Sequence, residues 1–329
     1  MGAFSRFPLA GKRIWIAGHS GLVGSALLRR LSGQPCKLLV ATHDELDLTR
    51  QAETAAWIRD MRPDVVIVAA ARVGGILANS KYPADFLYDN LMIAANVMKA
   101  AHENGVNRLI WLGSSCIYPR DAAQPISEDA LLTGPLEPTN EAYAVAKIAG
   151  LKLAQAYSRQ MSRSFFSVMP CNLYGPNDNF HPQNSHVIPA LIRKFHEAKV
   201  AGAPRVTLWG SGRPLREFLH VDDLANAVVL LASCYDDEQL VNAGSGEEVT
   251  IAQLAELVGR VVGYEGKLSF DTSMPDGTYR KVLDSSRLRA LGWRPRISLE
   301  EGLRALYAEW LAATGANEGT RREPAVAVS

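Results

Sequence analysis

The 329-residue sequence predicts an α/β fold: a doubly wound parallel sheet followed by a smaller C-terminal α/β substrate lobe. Three observations carry that reading. Short β-rich runs alternate with helical patterns through the first half, and such βαβα alternation builds a parallel sheet covered by helices. Residues 64–70 are nearly all apolar, as a strand buried on both faces must be. A turn with three glycines, Gly18-His19-Ser20-Gly21-Leu22-Val23-Gly24, joins the first strand to the first helix.

The elements follow in order. Residues 13–17 read as a strand, 25–31 as a helix and 37–42 as a second strand. A helix over 52–61 stops at Arg62-Pro63, because proline restricts the residue before it and cannot extend a helix. The strand over 64–70 leads to a long helix over 84–104 and a strand over 108–112. A helix over 142–161 and a strand over 165–169 complete this half. From about residue 172 the character changes. Gly, Pro, Asn and His accumulate over 172–189, which reads as a long loop above a site. A strand over 206–209 and helices over 222–232, 251–262 and 298–312 follow. Residues 1–172 are thus expected to form a dinucleotide-binding region, with later segments returning to it. Residues 173–315 are expected to form mainly the substrate lobe. The polar stretch 316–329 reads as a disordered tail.

Composition narrows the class of partner. Thirty-five basic and 34 acidic residues give a formal charge of +1, which leaves no electrostatic footprint for nucleic acid or an anionic membrane. The longest apolar run, 65–71, is too short to span a bilayer, and residues 1–13 lack the apolar core of a signal peptide. Cys36, Cys116, Cys171 and Cys234 form no CxxC pair and suit a reducing cytoplasm. No metal is expected, since the seven histidines show no ligand spacing. His220-Val221-Asp222-Asp223 is better read as a helix start, with Asp222 or Asp223 as the cap.

Each glycine of the turn has a reason. The first permits the tight turn, the second lets the backbone approach a pyrophosphate, and the third allows helix to pack on strand. The helix N-terminus then faces the negative charge. These features describe a Rossmann-type nucleotide site. The choice of cofactor stays open at this level. Asp44 and Glu45 at the end of the second strand suit a free ribose hydroxyl, whereas His43 and Ser20 suit a 2′-phosphate.

The chemistry gathers in five residues. Tyr143 and Lys147 stand four apart on one helix face, and Ser114 lies just beyond the strand over 108–112. A phenol has a reference pKa near 10, and a neighbouring ammonium is expected to lower it. The three together can polarise a carbonyl and deliver a proton as a hydride arrives. Cys116 and His186 add a second possibility, proton removal and return beside the same carbonyl. Cys116 lies two residues beyond Ser114 and shares its side if the strand stays extended.

At this point the chain resembles the extended short-chain dehydrogenase/reductase superfamily, and within it the GDP-L-fucose synthase family. The motifs are Gly74-Gly75-Ile76, Tyr82-Pro83-Ala84-Asp85-Phe86, Gly113-Ser114-Ser115-Cys116-Ile117-Tyr118-Pro119 and Leu136-Glu137-Pro138-Thr139-Asn140. Further along come Asn172-Leu173-Tyr174-Gly175-Pro176, Asn184-Ser185-His186-Val187-Ile188-Pro189, Trp209-Gly210-Ser211-Gly212 and Pro275-Asp276-Gly277-Thr278. The run Arg216-Glu217-Phe218-Leu219-His220 with Val221, Asp222 and Asp223 belongs with them.

The resemblance implies a bifunctional enzyme that epimerises GDP-4-keto-6-deoxy-D-mannose at C3 and C5 and then reduces its C4 ketone with NADPH. It implies Tyr143 as proton donor, Lys147 as its partner, Ser114 as carbonyl ligand, Cys116 as base and His186 as acid. It places the cofactor against residues 18–24, His43, Asp44, Leu112, Gly113, Ser115, Lys147, Pro170, Asn172, Leu173 and His186. The GDP-sugar falls to Lys194, Trp209, Arg216 and Asp276. Some relatives carry arginines where this chain has Ser20 and His43, which leaves NADH open as a donor. A homodimer is expected on the same ground. The alternatives are the same chemistry on a related GDP-4-keto sugar, a simple nucleotide-sugar 4-epimerase, and a non-catalytic dinucleotide sensor.

Overall fold

The computed structural model describes residues 7–182, 185–274 and 276–315, so the expected disordered tail at 316–329 and the first six residues lie outside the described residues. β1 (Arg13–Ala17) leads through the glycine turn to α1 (Leu22–Ser32), β2 (Lys37–Leu39), α2 (Gln51–Met61) and β3 (Val65–Val68). Helices α3 (Ile76–Lys81) and α4 (Pro83–Glu103) precede β4 (Arg108–Leu112). A 3-10 turn over Ser115–Ile117 and helix α5 (Glu141–Met161) then lead to β5 (Ser164–Pro170). The second half runs β6 (Asn172–Tyr174), α6 (Val187–Val200), β7 (Arg205–Trp209), β8 (Leu215–His220), α7 (Val221–Cys234) and β9 (Val241–Ala243). It ends with β10 (Glu248–Thr250), α8 (Ile251–Val262), β11 (Lys267–Asp271), β12 (Arg280–Lys281), α9 (Ser286–Ala290) and α10 (Leu299–Thr314).

The main sheet has the order β2-β1-β3-β4-β5-β9, with every pair parallel. Its winding reverses between β1 and β3. In doubly wound sheets ligands bind at such a reversal, outside the carboxyl ends of the strands. The all-apolar β3 strand lies inside the sheet, buried on both faces. Ile14, Trp15, Ile67, Leu109, Ile110, Phe165 and Phe166 are each at most 1% exposed. This core also takes in residues of α7 and β9 from the second half of the chain. A second, smaller core joins Ile188, Ile192 and Phe195 of α6 to Leu208, Leu254, Val258, Leu303 and Leu306.

Three sequence expectations change here. The second strand stops at Leu39 rather than 42, because Glu45 turns back and accepts from Thr42 N (2.8 Å) and Oγ1 (2.9 Å). The 172–189 stretch is not one loop. Its first residues form β6, paired in parallel with β8 through Asn172↔Phe218 and Tyr174↔His220. The cap of α7 is His220, whose Nδ1 accepts from Asp222 N at 3.2 Å, and not Asp222 or Asp223. Asp222 instead pairs with Arg29 at 2.6 Å, and Asp223 is buried and accepts from the backbone of Arg296 and Ile297. Among the described residues no group of three or more His, Cys, Asp or Glu is arranged to hold a metal. No helix among them is long and apolar enough to cross a membrane.

Candidate active site

The glycine turn sits at the reversal between β1 and β3. Gly18 adopts φ +84°, and a Cβ there would lie 2.6 Å from Ala70 Cα, just beyond β3. A Cβ on Gly24 would lie 2.0 Å from Gly18 O, so only glycine lets α1 close onto the turn. A Cβ on Gly21, by contrast, would make only an ordinary contact, 3.7 Å from Gly18 O, and this residue starts α1 with no side-chain cap. That leaves the helix N-terminus free for an anion. His19 Nδ1 is buried there without a partner, and Asn177 Nδ2 reaches Ser20 O at 3.3 Å. The turn therefore fits a dinucleotide diphosphate. Leu112 and Gly113, at the end of β4, and Pro170, at the end of β5, lie along the same carboxyl edge of the sheet, and Asn172 and Leu173 in β6 follow Pro170 directly.

Helix α5 is set against β4 by Gly150, whose absent side chain makes room for the Trp111 indole: a Cβ would stand 2.6 Å from the ring. Trp111 Nε1 donates to Lys147 O at 3.3 Å. This register brings Lys147 Nζ to Leu112 O (2.9 Å), 4.3 Å from the Trp111 ring and 5.7 Å from the Tyr143 ring. Lys147 is almost wholly buried, and desolvation brings its pKa down to about 8. Burial pushes the Tyr143 phenol up, with the neighbouring Cys116 adding to the shift. The expectation that Lys147 lowers the phenol is thus corrected. The ammonium is spent on a carbonyl and lies by the ring, so desolvation wins. The phenol stays protonated, which suits a proton donor.

Ser114 caps the 3-10 turn, its Oγ accepting from Cys116 N at 3.4 Å. The strand does not remain extended beyond β4, so this turn, not strand alternation, places Cys116. Cys116 is 6% exposed and close enough to Tyr143, Lys147 and Lys281 to interact with their charges. Burial raises its pKa, and Lys281, Ser114 and Lys147 pull the other way.

His186 precedes α6 and makes no side-chain capping bond. Its residue surface is exposed, yet the protein packed about the ring lowers its pKa by desolvation. Its acid form would be favoured by a neighbouring anion, which a sugar diphosphate brings. Among the described residues the ring makes no hydrogen bond to the other four. The structure thus gathers Ser114, Cys116, Tyr143 and Lys147 into one cluster and leaves His186 outside it, at the start of α6.

The four nucleotide-sugar candidates converge at the end of β7. Trp209 is 69% exposed there. Lys194 Nζ donates to Thr207 O at 2.5 Å. Asp276 does not point freely outward: its two oxygens accept from Ser211 N (2.7 Å) and Oγ (2.6 Å). A Cβ on the next residue, Gly277, would lie 3.2 Å from Arg216 Nη2. Burial lowers the Arg216 pKa, and Asp276 partly offsets this.

Sequence reasoning missed Lys281. β12 pairs with β8 so that Lys281 stands beside Arg216 in register. It is the strongest charge favouring the Cys116 thiolate. Glu217, fully buried, fixes this arrangement by accepting from Leu283 N (3.1 Å) and Gly246 N (2.6 Å). The available signal was a lysine three residues past the 275–278 motif, and only strand pairing gives it meaning.

Residues 14–244 match the model of the NAD dependent epimerase/dehydratase family. GDP-L-fucose synthase 1 of Arabidopsis thaliana is 60% identical over 91% of this chain and 92% of its own length. A GDP-6-OMe-4-keto-L-xylo-heptose reductase from C. jejuni has a similar structure, with TM-score 0.87 and 32% identity, covering 94% of this chain and all of that one. A GDP-L-fucose synthetase from Naegleria fowleri, bound to NADP, gives TM-score 0.85 and 27% identity over 95% of this chain and 98% of that one. With this sheet, this glycine turn and these relatives, the chain belongs to the NAD dependent epimerase/dehydratase family and, within it, to the GDP-L-fucose synthases.

Proposed function

We propose that this chain converts GDP-4-keto-6-deoxy-D-mannose to GDP-L-fucose by epimerising C3 and C5 and then reducing C4. The observation that carries the two-step reading is Cys116, a buried thiol held against Tyr143, Lys147 and Lys281. A simple 4-epimerase has no use for it. Protons at C3 and C5 are acidic because each lies beside the C4 ketone. The Cys116 thiolate takes one, and the electron pair passes into an enolate whose oxygen is held by Ser114 and Tyr143. His186 returns a proton to the opposite face of the same carbon. In the reduction Tyr143 gives its phenolic proton to O4, and Lys147 keeps the helix face cationic.

NADPH would supply the hydride at C4 when bound, and the Naegleria fowleri relative is a structure bound to NADP. Residues 18–24 would hold its diphosphate, and Ser20, His43 and Asp44 would meet its ribose hydroxyl or 2′-phosphate. NADH remains a second donor, since the turn carries no arginine. Lys194, Arg216, Trp209 and Asp276 take the GDP portion. Residues 1–172 carry the cofactor, with α7 and β9 added to their core, and 173–315 supply most of the substrate side. A homodimer through α4 and α5 is supported by exposed Tyr88 and Val145 on these two packed helices. A cytoplasmic location is supported by four free cysteines.

The test is incubation with the keto sugar and NADPH in deuterated water, followed by identification of the sugar. GDP-L-fucose carrying deuterium at C3 and C5 is the expected product, and Cys116→Ser is expected to abolish the uptake. Reduction without uptake would leave a plain 4-reductase and remove Cys116 from the chemistry.

A further inference from the structure

Cys116 must lose its own proton before it can take one from carbon, and burial opposes that loss. Two lysines act on it. Lys147 already donates to Leu112 O at 2.9 Å and lies over the Trp111 ring, so its ammonium is engaged elsewhere. Lys281 makes no hydrogen bond or ion pair among the described residues.

A shared anchor joins the Cys116 turn to the strand that carries Lys281. Two residues past Cys116, the Tyr118 hydroxyl donates to Oδ1 of Asn242 in β9 at 2.6 Å. The same Asn242 side chain is fully buried, and its Nδ2 donates to Ile126 O (3.0 Å) and Asp284 O (3.2 Å). The 280–284 segment is also held along both edges. On one, β12 pairs with β8 and sets Lys281 against Arg216. On the other, Val282 N donates to Gln124 Oε1 at 3.0 Å, while Ile126 N donates to Val282 O and Asp284 N to Ile126 O, both at 2.8 Å. The backbone that bears Lys281 is therefore fixed relative to the thiol.

The charges around this lysine come from three other elements. Burial brings its pKa down, and Cys116 opposes this most; Arg216 on β8 adds to the lowering, and Glu137 before α5 works against it. Residues paired in register share a sheet face, on strands about 4.8 Å apart, so the two cations repel each other. A thiolate in their field relieves that repulsion. Tyr143 and Lys147 of α5 complete the groups that face the sulfur.

We propose that Lys281 is the positioning residue of the epimerisation step, its ammonium holding the Cys116 sulfur as thiolate, an assignment that rests on reading Cys116 as the base. The thiol proton leaves to solvent first. The thiolate then takes the proton from C3 or C5, the C–H electron pair passes into the enolate, and the sulfur ends the step as thiol. Reduction at C4 stays with Tyr143 and Lys147.

Ultraviolet thiolate absorbance of the full chain, taken as the difference from a matched Cys116→Ser chain across pH, reads the sulfur without substrate. Lys281→Met is expected to raise the thiolate midpoint by about one pH unit and to cut deuterium uptake at C3 and C5 roughly tenfold at neutral pH. Lys281→Arg should restore most of both, and calorimetric GDP affinity should change less than about threefold. Lys281→Gln gives the same reading if the methionine variant fails to fold. An unchanged midpoint in the neutral variants overturns the proposal. So does a tenfold loss of GDP affinity at a constant midpoint, which would place Lys281 on the diphosphate. A midpoint that depends on Lys281 in a chain showing no uptake at all loses only the reaction. Uptake that depends on Cys116 but not on Lys281 loses only the lysine.

Discussion

The cluster on β4 and α5 and the lip at the ends of β7 and β8 treat charge in opposite ways. In the cluster, Tyr143, Lys147 and Cys116 are surrounded by protein, and desolvation dominates all three, raising the two acids and lowering the base. At the lip, Trp209 is largely exposed, Lys194 is exposed, and Asp276 sits in solvent with its pKa lowered by Ser211. Arg216 stands between the two, half-buried at the edge of β8. The difference teaches where each task belongs. Proton transfer benefits from a water-poor centre where small displacements change pKa, whereas holding a diphosphate benefits from exposed cations that meet it early. Lys281 joins the regions, since it lies beside Arg216 in the ladder and acts on Cys116.

The comparison breaks most readily at Tyr143. Tyr143→Phe is expected to cut the rate of NADPH oxidation about a thousandfold while solvent exchange at C3 and C5 survives in part. Stopped-flow absorbance and mass spectrometry of the recovered sugar measure the two. Normal oxidation in that variant would remove the phenol as proton donor. At the lip, Arg216→Ala should raise KM for the keto sugar roughly tenfold to a hundredfold with kcat changed by less than threefold. Equal losses in kcat and kcat/KM would place Arg216 in the chemistry instead. The smallest effect is a divergence with pH. The raised Cys116 pKa makes exchange climb as pH rises above neutrality. Reduction falls as Lys147 loses its proton through about pH 8. The ratio of exchange to reduction should therefore grow several-fold between pH 7 and 9, and parallel profiles would contradict the separate roles.

Much of the fold could be read along the chain. The Rossmann-type sheet followed from local signals: an all-apolar strand, a glycine turn and alternating elements. Helix α8 was located to the residue, because its amphipathic face and the Thr250–Gln253 capping box are local features. β8 was not foreseen, because Pro214, Arg216 and Glu217 interrupt the apolar alternation, and Glu217 is buried only by accepting distant backbone N–H groups. β12 is two residues long and exists through its pairing with β8.

For the candidate site the division is similar. Residue type and spacing named Ser114, Cys116, Tyr143, Lys147 and His186, since helical periodicity and motif order are properties of the chain itself. They also set the glycine turn, where only a residue without a side chain fits at positions 18 and 24. What tertiary structure alone decided were the protonation tendencies and the partners. Packing around α5 raised the phenol and the thiol and lowered the ammonium. Strand pairing delivered Lys281 to Cys116. Desolvation and long-range contact depend on which atoms surround a group in space, and linear order does not carry that information.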